Sequence, residues 1–158
     1  MISIKQTARA VEAIEKMNQQ EKVALCDEIF ERQPDVFFLI LGLSEDGMSP
    51  SGAEYALQRL LVIYRAMQDA GRTARVSRRH LEKAAKNTDH LIGFLQGGFT
   101  SQEGELAARS HPEVNLVAYF IGDMKALGLL NGSTESCDIF FALKTVLDGY
   151  ANCGRNPV

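Results

Sequence analysis

Asp123 is the carboxylate whose neighbours in the sequence could give it chemistry. On a helix it would share an apolar arc with Leu116, Phe120, Leu127 and Leu130, which lie at helical spacing on either side of it. An acid buried there without a partner would have a raised pKa and could give or take a proton; an arginine beside it would make it a structural group. The other candidates for nucleophilic or metal chemistry are Cys26, Cys137 and Cys153 with His80, His90 and His111. The cysteines are odd in number and show no C-x-x-C spacing, which argues against a disulfide framework and a zinc knuckle. The residues three before the histidines are Ser77, Asn87 and Ala108, not the glutamates of a di-iron Glu-x-x-His pair. H-E-x-x-H, the P-loop, G-x-G-x-x-G and G-x-S-x-G are all missing. No metal or cofactor is implied, and an enzyme built on this chain would need a dispersed site around Asp123 or a histidine.

Two stretches are candidates for binding instead of chemistry. Arg65 to Lys86 holds seven basic residues against Asp69 and Glu82, while the remainder holds ten against eighteen, so a segment at +5 sits beside a remainder at −8. Arg75, Arg78, Arg79 and Lys83 would form its contact residues for an acidic protein face or a phosphate backbone. The same helix carries an apolar stripe, Leu81, Ala84, Ala85, Thr88, Ile92 and Leu95, opposite Arg79, Lys83, Lys86 and His90, which is the pattern of any solvated helix. No aromatics interleave the basic residues as a single-strand binder requires, and the two helices joined by a basic connector are a weak match to a helix-turn-helix. The second stretch is Tyr55, Arg59, Val62 and Ala66, an arc on the side of its helix away from the core stripe. Tyr and Arg favour interfaces, so either another helix of this chain or a second molecule covers it.

The elements that must position these groups are helices, because apolar residues recur at three and four and strand alternation is missing. The first is expected over Ser3 to Met17 with Ile4, Ala8, Val11 and Ile14 inward. Asn18 and Glu21 have capping-box spacing for a second that ends near Arg32. Pro34 and Asp35 suit the first turn of a third. The run Val36 to Leu43 reads as a buried helix there, since a strand would find no second strand to pair with. Ser51 with Glu54 again has capping-box spacing, and the helix it opens should bury Ala53, Ala56, Leu57, Leu60, Tyr64 and Met67 before Gly71 stops it. Cys26 reads as a core residue beside Leu25, Ile29 and Phe30, and Cys153 as an exposed thiol.

A connector over Arg72 to Val76 leads to a helix capped by Ser77 that ends at about Gln96. A short helix is expected over Gln102 to Arg109. Pro112 opens another that stops at Asn131-Gly132, and Ser133 or Thr134 caps the last, which runs to about Asn152. Hairpins over Pro34 to Gly71 and Pro112 to Asn152 are expected to supply most of the core. The similar openings Gln33-Pro34-Asp35-Val36 and His111-Pro112-Glu113-Val114 raise an internal duplication.

A chain of 158 residues, 46% hydrophobic and 23% charged, is expected to form one all-α domain of about seven helices with one core. The N-terminus has no secretion signal pattern, and the longest apolar run has eight residues, too few to span a bilayer. A cytoplasmic protein follows as the expectation. The function expected is a non-catalytic interaction or regulatory protein presenting a helix face to a protein partner or to a second copy of itself. Nucleic-acid binding through residues 65–86 is the second reading, and an enzyme with a site near Asp123 is the third.

Overall fold

In a computed structural model the described residues are 1–96, 109–129 and 131–153. Among them are seven helices and no strand: α1 (Ile4–Lys16), α2 (Gln19–Arg32), α3 (Pro34–Glu45), α4 (Pro50–Asp69), α5 (Arg78–Gln96), α6 (Val114–Ala126) and α7 (Thr134–Cys153). The helix starts follow local chemistry. Ser3 and Gln6 close a capping box on α1, and Asn18 and Glu21 close one on α2, so each pair satisfies two otherwise free amides. Pro34 opens α3 as its missing N–H costs nothing there. The expected short helix at 102–109 falls, except for its last residue, outside the described residues.

Two boundaries differ from the sequence expectation, each for a local reason. The cap of α4 is Ser49, not Ser51, because Pro50 takes the first helical position and Ser49 Oγ accepts from Gly52 N at 3.1 Å. α6 stops before Asn131, because Gly128 adopts φ +68° and lets the Leu129 amide turn back to the Met124 carbonyl at 2.8 Å. At the end of α4, Gly71 is used as expected: its φ of +70° lets Arg72 N return to Met67 O.

The core forms around α4 and α7. Nine residues of α4 are buried, including the consecutive run Leu60 to Tyr64, and successive residues on a helix point about 100° apart. A run of five therefore buries the whole circumference, so the single inward stripe expected for this helix is too narrow. α7 buries eleven of its residues, from Ser136 to Tyr150. α1, α2 and α3 cover α4, while α5 packs most extensively on α7. α7 also packs on α4 and α3, so its principal neighbours are not α6, and the expected core hairpin over Pro112 to Asn152 is replaced by an α5–α7 pair. The expected pairing of α3 with α4 is present.

Faces are also rotated. α1 turns Thr7, Ala10 and Ile14 inward, whereas Ile4 is 74% exposed and Ala8 is exposed. Its apolar arc is wider than the surface α4 offers, so one edge of that arc faces water. α3 buries Val36 and Ile40 but exposes Phe38 and Leu41, so the run Val36 to Leu43 is helical, as expected, yet only half of it is core.

The α5–α7 contact depends on a missing side chain. A Cβ at Gly149 of α7 would lie 2.8 Å from Val76 Cγ1 and 3.0 Å from Leu81 Cδ2. Val76 is fully buried and β-branched, so it has no free rotamer into which to retreat. Gly149→Ala is therefore expected to lower stability by about 1–3 kcal/mol through overpacking. Gly122→Ala on α6, where an added Cβ meets nothing within 4 Å, should raise it by roughly 0.5–1 kcal/mol through helix propensity. Urea midpoints at unchanged m-value measure both, and a neutral Gly149→Ala would mean that α5 and α7 are not closely packed there.

Candidate functional site

Two of the groups singled out in the sequence meet each other. Tyr55 and Arg59, one turn apart on α4, both reach Asp123 on α6: the Tyr55 hydroxyl donates to Asp123 Oδ2 at 2.5 Å, and Arg59 Nε lies 3.0 Å from the same oxygen. The second contact is an ion pair and is not aligned as a hydrogen bond, since Arg59 Nε has no hydrogen-bond partner. Arg59 Nη1 donates to the Tyr119 hydroxyl at 2.9 Å, and the guanidinium stands over the Tyr55 ring, 4.8 Å from its centroid. Burial and the hydrogen bond to Asp123 push the Tyr55 hydroxyl well above its ordinary range, so it stays a donor. Burial disfavours charge on Arg59, but the hydrogen bond to Tyr55 and the nearby anion outweigh it and raise its pKa.

This arrangement bears on two readings that the sequence left open. The Asp123 side chain is 22% exposed and paired with an arginine, so it is a structural acid and not a lone buried one. Val62 is 1% exposed and Ala66 fully buried, while Tyr55 and Arg59 are half-buried and engaged by Asp123 and Tyr119 of α6, and α1 packs along α4.

The basic segment is largely paired. Arg65 lies 3.3 Å from Asp69, Arg75 lies 3.8 Å from Asp35, and Arg78 lies 3.0 Å from Glu82. Arg72 turns inward, pairs with the buried Glu113 and donates to the Tyr150 carbonyl at 3.0 Å. Arg79 and Lys83 are exposed on α5, as the amphipathic pattern requires. These are surface pairs of small energy, but each places a carboxylate beside a cation that a polyanion would need.

Buried polar ties that sequence reasoning missed connect the two ends of the chain. Glu113 Oε2 accepts from Ile2 N at 2.8 Å while its other oxygen holds Arg72, and Asn115 Nδ2 donates to Ile2 O at 2.8 Å. His111 Nδ1 accepts from the Glu113 amide at 2.9 Å, which leaves the ring proton on Nε2, facing Asp148 Oδ1. Asp148 also takes Lys144 Nζ at 2.6 Å and Thr88 Oγ1 at 3.3 Å. Gln33, 1% exposed, donates to Ala74 O at 2.9 Å and accepts from Val76 N at 2.8 Å. The one signal for these residues was the position of Gln33 and His111 directly before Pro34 and Pro112, since a proline disfavours helical backbone at the residue before it. A histidine and an aspartate thus meet, but every polar neighbour identified around them is another structural partner. The described residues hold no group of three or more metal-ligating side chains.

What the fold leaves open is apolar. Phe30 on α2 is 47% exposed, and Phe38 and Leu41 on α3 are 57% and 39% exposed. Phe30 meets Phe37 and Phe38 edge-on, at centroid separations of 5.9 and 5.7 Å. Val23, two turns before Phe30, is half exposed and continues the strip along α2, with half-buried Cys26 between them. Cys26 therefore packs against the core, as expected, at the edge where it borders this surface. Cys153 is half-buried, with its thiol donating to the Arg75 carbonyl at 3.0 Å. Phe38 also stands at the edge of a cleft of about 610 Å³ between α3 and α7. No described helix is long and apolar enough to cross a membrane.

No protein-family model matches the chain, and no curated protein or solved structure matches it.

The Asp148 tie makes a pH prediction. Burial pushes its carboxyl up, but hydrogen bonds from His111 and Lys144 and the charge on Lys144 outweigh that and hold it below the ordinary aspartate range. A depressed folded-state value adds stability that is fully present above the unfolded value of about 3.9 and is lost as pH falls below it toward the folded value. Asp148→Asn is expected to destabilise the chain by about 3 kcal/mol at pH 7, because Lys144, 12% exposed, loses its counter-ion. The gap between variant and parent should close as pH falls below about 4. Urea unfolding at neutral and acid pH checks this; a gap independent of pH would show that shape, not charge, holds the tie.

Proposed function

We propose that the chain is a non-catalytic interaction protein that presents the apolar face of α2 and α3 to a protein partner, the first such partner being a second copy of itself. The observation that carries this reading is the clustering of Phe30, Phe38 and Leu41 on adjacent helices, with Val23 in line on α2. Scattered exposed apolar residues are ordinary, but a contiguous aromatic and aliphatic face marks an interaction surface. Aromatic anchors are also the side chains that contribute most to interface energy. The face suits self-association because an apolar surface is its own chemical complement across a two-fold axis. The three cysteines are free, which fits a reducing cytoplasm.

Polyanion binding through residues 65–86 is the weaker reading, because Arg65, Arg72, Arg75 and Arg78 each have a carboxylate within 4 Å. An enzyme centred on Asp123 is weaker still, since that acid is occupied by Tyr55 and Arg59.

Light scattering across salt concentrations tests the proposal. The expected result is a dimer that persists at high salt, because apolar association is not screened. A double substitution Phe30→Ser and Phe38→Ser should raise its dissociation constant by about a hundredfold or more, the loss expected of one or two aromatic anchors. A monomer at every salt and protein concentration would overturn self-association. A dimer that dissociates as salt rises would move the interface to the charged face of α5.

A further inference from the structure

We infer that the cleft between α3 and the first half of α7 is a docking groove for a basic amphipathic helix of a protein partner. The groove would take an apolar anchor residue flanked by lysine or arginine. This deepens the interaction reading and rests on it, but it does not need the chain to be a dimer.

The floor of the cleft is apolar, made by Phe38, Leu39 and Leu43 of α3 and Phe141 of α7. Met48 adds a flexible, polarisable wall that adapts to the shape of an inserted side chain. The volume of about 610 Å³ exceeds one side chain and suits a helix that lays several against the floor. Both walls are helices, so a third helix can set its ridges into the groove between them. Gly42 widens the floor, for a Cβ there would meet nothing within 4 Å. The cleft is continuous with the exposed aromatic face through Phe38.

The rim decides the sign of the partner. Asp46, Glu135 and Asp138 stand around the opening, and none of the residues lining the cleft is basic. Glu135 is fixed in place by Ser49, whose backbone N–H donates to its carboxylate at 2.6 Å, and the Ser49 side chain and backbone together hold it below the usual glutamate range. Asp46 and Asp138 are exposed at the end of α3 and the first turns of α7. An acidic helix would meet three like charges, while a helix with lysines flanking its apolar stripe would meet three opposite ones.

The probe is a synthetic helix of about 18 residues, or five turns, with leucine at helical spacing and lysine elsewhere, and its partner probe replaces every lysine with glutamate. Fluorescence anisotropy is read on the parent chain and on Phe30→Ser, which removes an anchor of the self-association face that packs on Phe38 but does not itself line the cleft. The lysine peptide should bind both proteins, and the glutamate peptide at least tenfold more weakly. Asp46→Asn with Asp138→Asn should weaken the lysine peptide by about tenfold and flatten its salt dependence. Gly42→Leu should keep the fold, since its side chain enters open space on a helix, and should block binding. Equal binding of both peptides, binding unaffected by Gly42→Leu, or no binding of the lysine peptide would overturn the groove. Lysine-peptide binding to a chain that is monomeric by light scattering would leave the groove standing and remove only the self-association.

Discussion

Covering α4 and α7 is the constraint on which the rest of this fold depends. Both helices are apolar over most of their circumference, and each buried Leu, Ile or Phe is worth roughly 1.5–3 kcal/mol only while neighbours exclude water from it. The chain supplies α1, α2 and α3 around α4, and α5 on α7, with α6 closing part of the remaining gap beside α1. An amphipathic helix has one apolar arc, and a single neighbour covers only part of it. α1 and α3 therefore each leave an apolar edge in water: Ile4 and Ala8 on one, Phe38 and Leu41 on the other. The exposed aromatic face is a direct consequence of how much core two central helices demand.

Short helices arranged around two hubs need their connections fixed, and buried polar side chains do this where packing alone would not. Gln33 holds the 74–76 connector against the start of α3, so α5 leaves in a defined direction. Glu113 joins Ile2, Arg72 and the start of α6 in one cluster, which brings the N-terminal residues and the second half of the chain together. These groups are costly to bury without partners, and nearly all their oxygens and nitrogens are used. Among the described residues the buried side-chain atoms without a hydrogen-bond partner are Arg59 Nε and Arg65 Nε, each beside a carboxylate, and Thr145 Oγ1 and Tyr150 Oη; burial raises the Tyr150 pKa so that its proton stays on. The polar interior is thus a set of fasteners, in which His111 and Asp148 tie the start of α6 to α7.

The sequence was most legible where information is local. The capping box at Asn18, Pro34 at the first turn of α3 and Gly71 after α4 each act within four or five residues, and each was read correctly, whereas the equally local box of Ser3 and Gln6 was not noticed. Ser49 was passed over for Ser51 because both sit near Pro50 and only the backbone conformation decides between them. The lack of any strand to pair with identified α3 as a helix, but periodicity could not say which half of an all-apolar run would face water, since no polar residue marks the outside. What meets the arc of Tyr55, Arg59 and Val62 was left open for the same kind of reason: its partners Tyr119 and Asp123 come from a helix about sixty positions away. Asp123 and the Tyr55–Arg59 pair were each noticed, and only the fold shows that they are one cluster.

Specificity follows from where the uncovered apolar surface meets charge. On α2 the strip of Val23 and Phe30 meets the edge of α3 with little in its own chemistry to choose among apolar partners. Around Phe38 the situation changes, because the end of α3, the turn at Gly47 and the first turns of α7 bring Asp46, Glu135 and Asp138 to the lip of an apolar floor. The turn at Gly47, with φ +86°, sends the chain from α3 toward Ser49, and Ser49 anchors Glu135 while capping α4. The same residue thus starts one of the two central helices and fixes a carboxylate at the mouth of the cleft. A change that loosens that cap would disturb the rim and the core together, so the charge at the opening is set by the constraint that organises the whole fold.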